Sequence, residues 1–340
     1  MDDIRRRGLK VGDSYLNTRA VAQMLGVNTA VVNRALQLLV QRRMISRRPR
    51  QGTIIINTAE DHPGPTSLQR VHLLVRQDYL KKEGLLADGI VLGIQGELPR
   101  ADIQFNFLPD SDPDAYVRHL IHDVLKSRMS EGFVVVRGGL WTQRLIAASG
   151  IPTVVLGSLY PSITGPSWID RDHYAVGKIL TEYLLREGAE HLLVMMREQM
   201  LPGDHQTLDA IHHCIETFKP RRVPITLRVL PADGNVVESE IARQLSRSTG
   251  RMGLFCRSTN LADAAIAALK KIRLPNELRP RVAVCDVHER EASKHPFAYT
   301  RAVLKPEAIG THIGRMLIQQ CDSGSDQICE HEIMGVEFCD

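Results

Sequence analysis

The sequence has no apolar run long enough to cross a membrane and no C-x-x-C pair. A membrane helix needs roughly 18 to 20 consecutive apolar residues, and a secretory signal needs an apolar segment that the N-terminal MDDIRRRG does not contain. The six cysteines lie far apart, which is typical of reduced and mostly buried thiols. These absences exclude membrane proteins and disulfide-rich secreted proteins, and they predict a cytoplasmic location.

Signatures of catalysis and of metal binding are also missing. The sequence has no G-x-S-x-G elbow, no P-loop, no H-E-x-x-H and no G-x-G-x-x-G after a strand. The pair His212 and His213 is typical of a helix surface. Cys329, His331 and Cys339 are close in sequence, but their spacing fits a final strand with alternating faces better than a compact metal site. An enzyme is therefore the least favoured of three function classes, and neither a cofactor nor a metal is expected.

Positive charge is concentrated at the N-terminus. Residues 1–58 hold eleven Lys and Arg against three Asp and Glu, whereas the other 282 residues hold 32 against 36. This asymmetry is typical of a nucleic-acid-binding module attached to a sensor or catalytic domain. A solvated basic helix is the plainer alternative.

The basic segment shows the pattern of two capped helices followed by a hairpin. Asn17 is placed to cap a first helix, which Gly26 ends, and Asn28 is placed to cap a second. The second helix repeats apolar residues at i, i+3, i+4 and i+7. Two short strands are predicted at 44–47 and 53–56, with a basic turn between them. The pattern therefore predicts a helix-turn-helix with a wing rather than an isolated basic helix.

Residues 8–56 resemble the winged helix-turn-helix of GntR-type transcription regulators. The motifs G-L-x-x-G-D, L-G-V, A-L-x-x-L and G-T-I follow that family's order and spacing. The resemblance implies that the second helix enters the major groove with its first turn, while the wing follows the backbone or the minor groove. Only residues 2–8 precede the Leu9–Gly12 segment, so the family's first helix is expected to be trimmed or to lie before this start. The implied DNA-binding residues are Arg19, Asn28, Thr29, Ala30, Asn33, Arg34, Arg47, Arg48, Arg50, Gln51 and Gly52.

The sequence departs from the family pattern where bases are read. Family members often begin the recognition helix with Ser-Arg and place another Arg one turn later, whereas this chain has Asn28-Thr29 and Asn33. Bidentate guanine recognition is therefore disfavoured there, and Asn33 is predicted to read adenine through its amide. Arg43 and Arg50 replace glycines near the wing, which predicts extra phosphate contacts. Each contact steepens the salt dependence by about 0.9 in log-log slope.

After a linker at 59–69, strand-like runs alternate with amphipathic helices, for example at 114–129 and 260–272. This alternation predicts an α/β fold with parallel sheets covered on both sides. Because about 270 residues exceed one such unit, two Rossmann-like lobes are expected. Strands are predicted at 71–75, 103–107, 133–136, 153–156, 191–195, 226–229, 252–256 and 282–285.

The body from about residue 70 to 340 resembles the effector-binding domain of LacI-type regulators, which is similar to periplasmic sugar-binding proteins. The resemblance rests on weak matches in the right order, among them GIPTVVLGS, WIDRDHYAVGKILTEYLLREGAEHLLVM and HPFAYTRAVLKPEAIGTHIGRMLIQ. It implies a periplasmic-binding-protein-like domain that dimerises and binds an effector between its lobes. We expect a winged head at 1–58, one lobe at about 70–167 with 298–323, and the other at about 168–297 with 324–340.

Four predicted strands end in arginine: VHLLVR, GFVVVR, LLVMMR and GLFCR. Ligands of open α/β folds bind at the carboxyl ends of strands. Converging guanidinium groups would form a positive cleft suited to a sugar phosphate or a carboxylate. Salt bridges between the lobes, to Asp78, Asp170, Asp172 or Asp286, explain the same arginines equally well.

The family comparison bears on the effector class. Sugar-binding members place an Arg where this chain has Thr207, and their A-N-D motif is replaced by Arg257-Ser258-Thr259. A neutral sugar is therefore disfavoured, which leaves an anionic effector or a cleft that no longer binds one. The expected effector-binding residues are Arg76, Asp78, Arg137, Ser158, Asp170, Arg197, Arg257, Ser258 and Asp286.

The sequence as a whole predicts a ligand-responsive transcription regulator, acting as a repressor and binding double-stranded operator DNA as a homodimer on a palindromic site. The effector would change operator affinity by binding the two states of the protein unequally. A small-molecule binding protein without a DNA function and a regulator whose cleft has lost its effector are the alternatives.

Overall fold

The computed structural model describes residues 7–41, 45–48, 52–55, 68–76, 87–109, 111–218, 223–231, 233–248, 250–285, 296–322 and 329–340. The chain forms two compact units, Met1–Pro65 and Thr66–Asp340, here called the head and the body. In the described ranges no helix is both long enough and apolar enough to cross a membrane.

The head packs two helices on a small antiparallel sheet. Its elements are β1 (Ser14–Tyr15), α1 (Thr18–Leu25), α2 (Thr29–Gln41), β2 (Ile45–Arg48) and β3 (Gly52–Ile55). The strand order is β1-β3-β2. The predicted helices, turn and hairpin are confirmed. Their buried core consists of Val21, Ala22, Val32, Leu36, Ile45 and Ile55.

Both head helices are capped as the sequence predicts. The side chain of Asn17 accepts a hydrogen bond from the backbone N–H of Ala20 at 2.9 Å, and that of Asn28 accepts one from Ala30 at 2.7 Å. Gly26 ends α1 with φ at 65°, a left-handed conformation that glycine adopts without strain. The hairpin strands are each displaced by one residue from the prediction. β1 was not predicted, because two residues show no alternation.

The body alternates strands and helices, and all eight predicted strands are confirmed within two residues. Two further strands, Ser167–Arg171 and Ala298–Ala302, were not predicted, because their sequences SWIDR and AYTRA mix polar and apolar residues over a short length. In chain order the elements are β4 (Arg70–Arg76), α3 (Ala87–Glu97), β5 (Asp102–Leu108), α4 (Pro113–Lys126), β6 (Glu131–Val136), α5 (Leu140–Ser149), β7 (Thr153–Leu156), β8 (Ser167–Arg171), α6 (His173–Arg186), β9 (His191–Arg197), α7 (Pro202–Thr217), β10 (Ile225–Leu230), α8 (Gly234–Leu245), β11 (Met252–Cys256), α9 (Thr259–Lys271), β12 (Arg281–Val284), β13 (Ala298–Ala302), α10 (Pro306–Asp322), β14 (His331–Met334) and β15 (Val336–Cys339).

These strands form two six-stranded sheets, each the centre of one lobe. The first lobe has the order β14-β8-β7-β6-β4-β5, and the second has β10-β9-β11-β12-β13-β15. Within these two sheets, every pairing among the described strands is parallel except that of β13 with β15. Apolar clusters lie on both faces of each sheet. The predicted two-lobed α/β architecture is confirmed.

The chain passes between the lobes three times: between β8 and α6, between β13 and α10, and between β14 and β15. Two hydrogen bonds join these crossings, from Asp172 N to Met334 O at 2.9 Å and from Val303 N to Gly335 O at 3.0 Å. The single final strand expected from the sequence is wrong, because the chain is divided at Gly335 between the two sheets. The crossings also differ from the expected lobe boundaries, since β8, β13 and β14 each belong to the other lobe's sheet.

This division separates the C-terminal cysteine and histidine residues. Cys329 donates to the carbonyl of Gly165 at 2.8 Å, and His331 stacks on Trp168 in the first lobe. Cys339 pairs with Tyr299 in the second lobe. The six cysteines all lie in the described ranges and form no disulfide; three of them are buried and three are partly buried.

Candidate DNA-binding surface and inter-lobe cleft

One face of α2 is fixed in the core of the head and the other is exposed. Val32 and Leu36 are each 2% exposed and anchor the helix. Five residues that the sequence predicts to bind DNA, in or directly before this helix, are all exposed: Asn28, Thr29, Ala30, Asn33 and Arg34. An exposed first turn on a core-anchored helix is the geometry with which such motifs enter a major groove.

Arg47 lies on the wing but reaches the helices. Its Nη1 donates to Oδ1 of Asn33 at 2.7 Å, and its Nη2 donates to Oγ1 of Thr18 at 3.1 Å. Ile45, two residues earlier on β2, is fully buried. Because alternate residues of a strand share a face, Arg47 lies on the helix-facing side of the hairpin.

The structure describes the other predicted DNA-binding residues only in part. Arg19 is exposed in the first turn of α1. Gly52 begins β3 with φ at 79°, which explains the glycine at the end of the wing turn. Arg48 pairs with Gly52 through its backbone. The side chain of Arg48 and the residues Arg50 and Gln51 lie outside the part that the structure describes.

A narrow cleft lies between the two lobes of the body. Its volume is about 20 Å³, which is enough for about one water molecule. Residues at the carboxyl end of β6, in the first lobe's sheet, meet here with residues at the carboxyl ends of β9 and β11, in the second lobe's sheet. The polar residues lining it include Arg137, Gln143, Ser158 and Asp170 from the first lobe and His173, Arg197 and Arg257 from the second.

Asp204, in the first turn of α7, holds two of these arginines. Both guanidinium nitrogens Nε and Nη2 of Arg197 donate to its carboxylate at 3.0 Å, and Nε of Arg257 makes a third, short bond. Leu201 adds its backbone N–H at 2.8 Å. The Asp204 side chain is fully buried, while the side chains of Arg257 and Arg197 are 2% and 22% exposed. Of the two arginines, Arg197 is therefore the one whose side chain is partly exposed, and it lines the cleft.

The charges in this cluster change the proton affinities of its members. Burial alone would raise the pKa of Asp204, but the positive charges of Arg257 and Arg197 outweigh it and hold the pKa at about 2. Burial and the charge of Arg257 lower the pKa of Arg197, despite Asp204 beside it. The carboxylate is therefore ionised across the physiological range, and the arginines repel each other around it.

A second carboxylate lies where the chain first crosses between the lobes. Asp170 accepts hydrogen bonds from Ser158 Oγ at 2.7 Å and from the backbone N–H of Arg171 at 2.9 Å. His173 Nε2 lies 3.0 Å from the same carboxylate. Burial acts to raise the pKa of Asp170, but the charge and hydrogen bond of His173 hold it well below its ordinary value. Asp170 is on β8 and His173 begins α6, so this contact joins the two lobes.

Arg137 enters the cleft from a constrained backbone. Its φ of 50° makes it the one non-glycine residue with a left-handed conformation in the described part of the chain. Its N–H donates to Leu156 O at 3.1 Å, and the neighbouring Gly157 also has a positive φ. A non-glycine residue held in this region costs about 1–3 kcal/mol and is found most often at functional sites.

The remaining predicted effector-binding residues have other surroundings. Arg76, at the end of β4, donates to Oε1 of Gln199 in the second lobe. Ser258 caps α9, its Oγ accepting from Leu261 N at 3.4 Å. Asp78 and Asp286 lie outside the described residues. Among the described residues, Arg197 and Arg257 both form salt bridges to Asp204, within the second lobe.

Residues 1–55 match the family model of bacterial regulatory proteins, gntR family. The head is therefore similar to the DNA-binding domains of that family. This match covers the segment in which the helix-turn-helix and the wing were predicted. No curated protein matches the chain.

The body has the fold of LacI-family regulators. The LacI family transcriptional regulator from Enterococcus faecium, with bound ribose, has a TM-score of 0.60 at 15% identity, with 80% of this chain and 97% of that chain covered. The dimeric Lac repressor has a TM-score of 0.60 at 12% identity, with the same coverage of 80% and 97%. The transcriptional regulator CelR in complex with cellobiose has a TM-score of 0.63 at 15% identity and covers 96% of this chain and 99% of its own.

Asp204 and His173 were missed by the reasoning from sequence. An aspartate in the first turn of a helix is usually explained by the helix dipole alone, so Asp204 carried no separate signal. The segment RDH, directly after a strand, could have indicated His173 as a helix-start residue facing Asp170. The arginine partners of Asp204 could not be assigned without knowing how β9, β11 and α7 pack together.

Proposed function

We propose that this protein is an effector-responsive transcription regulator that represses its target as a homodimer on a palindromic operator. The gntR-type head supplies the DNA-binding function. The single observation that carries the effector function is the convergence of three arginines, Arg137, Arg197 and Arg257, on one inter-lobe cleft.

The head supports DNA binding by its charge as well as its fold. The exposed first turn of α2 stands beside Arg19, Arg34 and Arg47, all exposed. Arginines of this kind neutralise phosphates and release counterions, so binding should weaken steeply as salt rises. Short polar residues of α2 would read the bases. The arginines that family members often have at the start of this helix and one turn later are absent from this chain.

The cleft supports an anionic effector, of the sugar phosphate or carboxylate class. Among the described residues that line or contact the cleft near Arg197, three guanidinium groups stand against the two carboxylates Asp170 and Asp204. Asp170 is engaged by Ser158 and His173. A further carboxylate or phosphate oxygen would offset the repulsion that lowers the pKa of Arg197.

A neutral sugar bound as in sugar-binding LacI-type proteins finds less support. Thr207 stands where those proteins place an arginine. Its side chain is fully buried and donates to the backbone carbonyls of Gly203 at 3.0 Å and His173 at 3.3 Å. Thr207 is thus committed to the start of α7 and offers no group to the cleft.

The cleft must open before an effector enters. Sites for small molecules typically measure about 300–1,000 Å³, far more than the cleft holds. The Arg76–Gln199 and Asp170–His173 contacts between the lobes would then break or rearrange. Lobe opening coupled to operator affinity is how an effector that binds the two states unequally would regulate the head.

Operator DNA is tested by selecting bound sequences from a random duplex pool with the full-length protein. The selected sites should be inverted repeats, and fluorescence anisotropy should show affinity that falls steeply with salt. Selected sites without two-fold symmetry would contradict the homodimer. Failure to retain any duplex would contradict the DNA-binding function.

The effector is tested by thermal shift with sugar phosphates, carboxylates, ribose and cellobiose. A ligand at 100 times its Kd stabilises the protein by about 2.7 kcal/mol. Arg197→Ala should abolish the shift, whereas Arg186→Ala, which removes an exposed arginine of α6, should keep it. Stabilisation by neutral sugars alone would contradict the anionic effector.

A ligand-independent regulator is the second candidate, and the closed cleft favours it. Asp204 already supplies Arg197 and Arg257 with the carboxylate that an effector would bring. This candidate predicts unchanged operator affinity and no thermal shift with every compound of the panel. A single stabilising anion would exclude it.

A further inference from the structure

We infer that Arg47 fixes the side-chain amide of Asn33 so that Asn33 meets the DNA as a hydrogen-bond donor and excludes cytosine at the base pair that it faces. The inference rests on the proposed DNA-binding function. It concerns how one wing residue determines the specificity of the recognition helix.

The first step is the position of Arg47. Its guanidinium joins three elements of the head, because it belongs to β2 and donates to Thr18 at the start of α1 and to Asn33 on α2. The planar guanidinium presents donors in a fixed fork, so two simultaneous partners hold it in one orientation. Ile45, on the same face of β2, anchors the strand in the core.

The second step is the orientation of the amide. An arginine has only donors, so the group of Asn33 that faces it at 2.7 Å must be the oxygen. The NH2 group of Asn33 then points to the other side of the amide. Asn33 is exposed, so this donor is available to DNA while the oxygen is already engaged.

The third step is the chemistry of the major groove. Guanine offers the acceptors N7 and O6, adenine offers N7 and thymine offers O4, whereas cytosine offers only its N4 amino donor. The NH2 group of Asn33 can therefore donate a hydrogen bond to guanine, adenine or thymine. At cytosine it would face another donor, with no acceptor to bind. The bidentate adenine contact expected from the sequence needs both amide groups on the side of the DNA, whereas the contact with Arg47 turns the oxygen toward the wing strand β2.

The test compares site preferences of full-length wild type, Arg47→Ala, Arg47→Lys and Asn33→Ala, all by selection from random duplexes followed by anisotropy. The base pair that Asn33 faces is identified by comparing Asn33→Ala with wild type. It is the pair at which wild type prefers particular bases and the variant does not. The affinity of wild type for a duplex with cytosine at that position should be about tenfold lower than for the preferred duplex, as expected when a polar group is left without a partner. Arg47→Ala should admit cytosine at that pair and leave the other pairs unchanged.

Arg47→Lys separates positioning from charge. Lysine keeps the positive charge but lacks the fork that joins Thr18 to Asn33, so affinity should persist while cytosine is admitted. Thr18→Val, which removes one arm of the contact, should admit cytosine partly. Arg7→Ala removes another arginine of the head, whose guanidinium lies 3.7 Å from Met24 Sδ, and should leave the preference unchanged.

The outcomes are distinct. A uniform loss of affinity in Arg47→Ala, with cytosine still excluded, would show that Arg47 is only a phosphate contact and would overturn the inference. An unchanged preference in Asn33→Ala would overturn it as well. In both cases salt-dependent binding by wild type leaves the proposed function intact, whereas the absence of any duplex binding would overturn both.

Discussion

The head and the body hold their arginines in opposite ways. On the head, Arg19, Arg34 and Arg47 are exposed, and an exposed guanidinium reaches a partner with little desolvation. In the body, Arg257 is 2% exposed and shares the buried Asp204 with Arg197. A buried charge without its partner is costly. Substitutions in the cleft should therefore change the stability of the fold, whereas those on the head should change only DNA binding.

The largest loss of stability should follow the removal of the Asp204 carboxylate from the body. Asp204→Ala removes the carboxylate that the buried Arg257 shares with Arg197, which should lower the free energy of unfolding by about 3–5 kcal/mol. Glu216→Ala, at an exposed position of the same helix, is the matched control and should stay within about 0.5 kcal/mol. Denaturant unfolding followed by circular dichroism measures both. A loss below about 1 kcal/mol for Asp204→Ala would mean that the cluster is dispensable.

The next largest loss of stability should come from a substitution where α3 packs closely against α10 in the first lobe. A Cβ at Gly93 on α3 would lie 2.1 Å from the carbonyl oxygen of Glu307 on α10, whereas one at Gly96 meets nothing within 4 Å. Gly93→Ala should cost about 1–3 kcal/mol by forcing the helices apart. Gly96→Ala should instead gain about 0.5–1 kcal/mol from helix propensity.

Tryptophan fluorescence is suited to this measurement, because the chain's two tryptophans, Trp141 and Trp168, both lie in the first lobe. Equal stabilities for the two variants would show that α3 and α10 separate without cost.

Acid should weaken the body through Asp204. Its pKa is about 2 in the folded protein against an ordinary value of 3.8. A lowered folded pKa stabilises the protein above the unfolded pKa, and that stability is lost as pH falls toward 2. Between pH 5 and pH 3 the loss from this group should be about 1 kcal/mol.

The comparison of wild type with Asp204→Asn isolates this contribution, since the variant lacks the titrating group while the other carboxylates remain. Urea unfolding midpoints at several pH values give the slope. A variant whose stability falls as steeply as that of wild type would assign the acid sensitivity to other residues.

Local pattern was enough to predict most of the fold. The β7 and β11 boundaries match because each is an uninterrupted run of mostly apolar residues, TVVL and MGLFC, with the period and length of buried strands. Asn17 and Gly26 cap α1 as predicted, because capping depends on neighbours in sequence. Neither β8 nor the division of the C-terminal segment at Gly335 was predicted. Both depend on the sheet with which each segment pairs, and local sequence does not show this.

The candidate site was predicted only in part. Strand-end arginines could be found because parallel strands share an edge, and three of the four line the same cleft. Their partner Asp204 could not be found, since it comes from a helix start rather than a strand end. The Arg47–Asn33 contact was equally hidden, because the family pattern explains Arg47 as a wing residue.

The smallest effect on stability should come from the head. Arg34→Ala removes an exposed arginine of α2 and should leave the free energy of unfolding within about 0.5 kcal/mol of wild type. If Arg34 contacts a phosphate, the log-log slope of operator affinity against salt should fall by about 0.9. Arg186→Ala, an exposed arginine of the body, should change neither quantity. A stability loss in Arg34→Ala as large as that of Asp204→Ala would remove the distinction between an exposed binding surface and a buried, self-paired cleft.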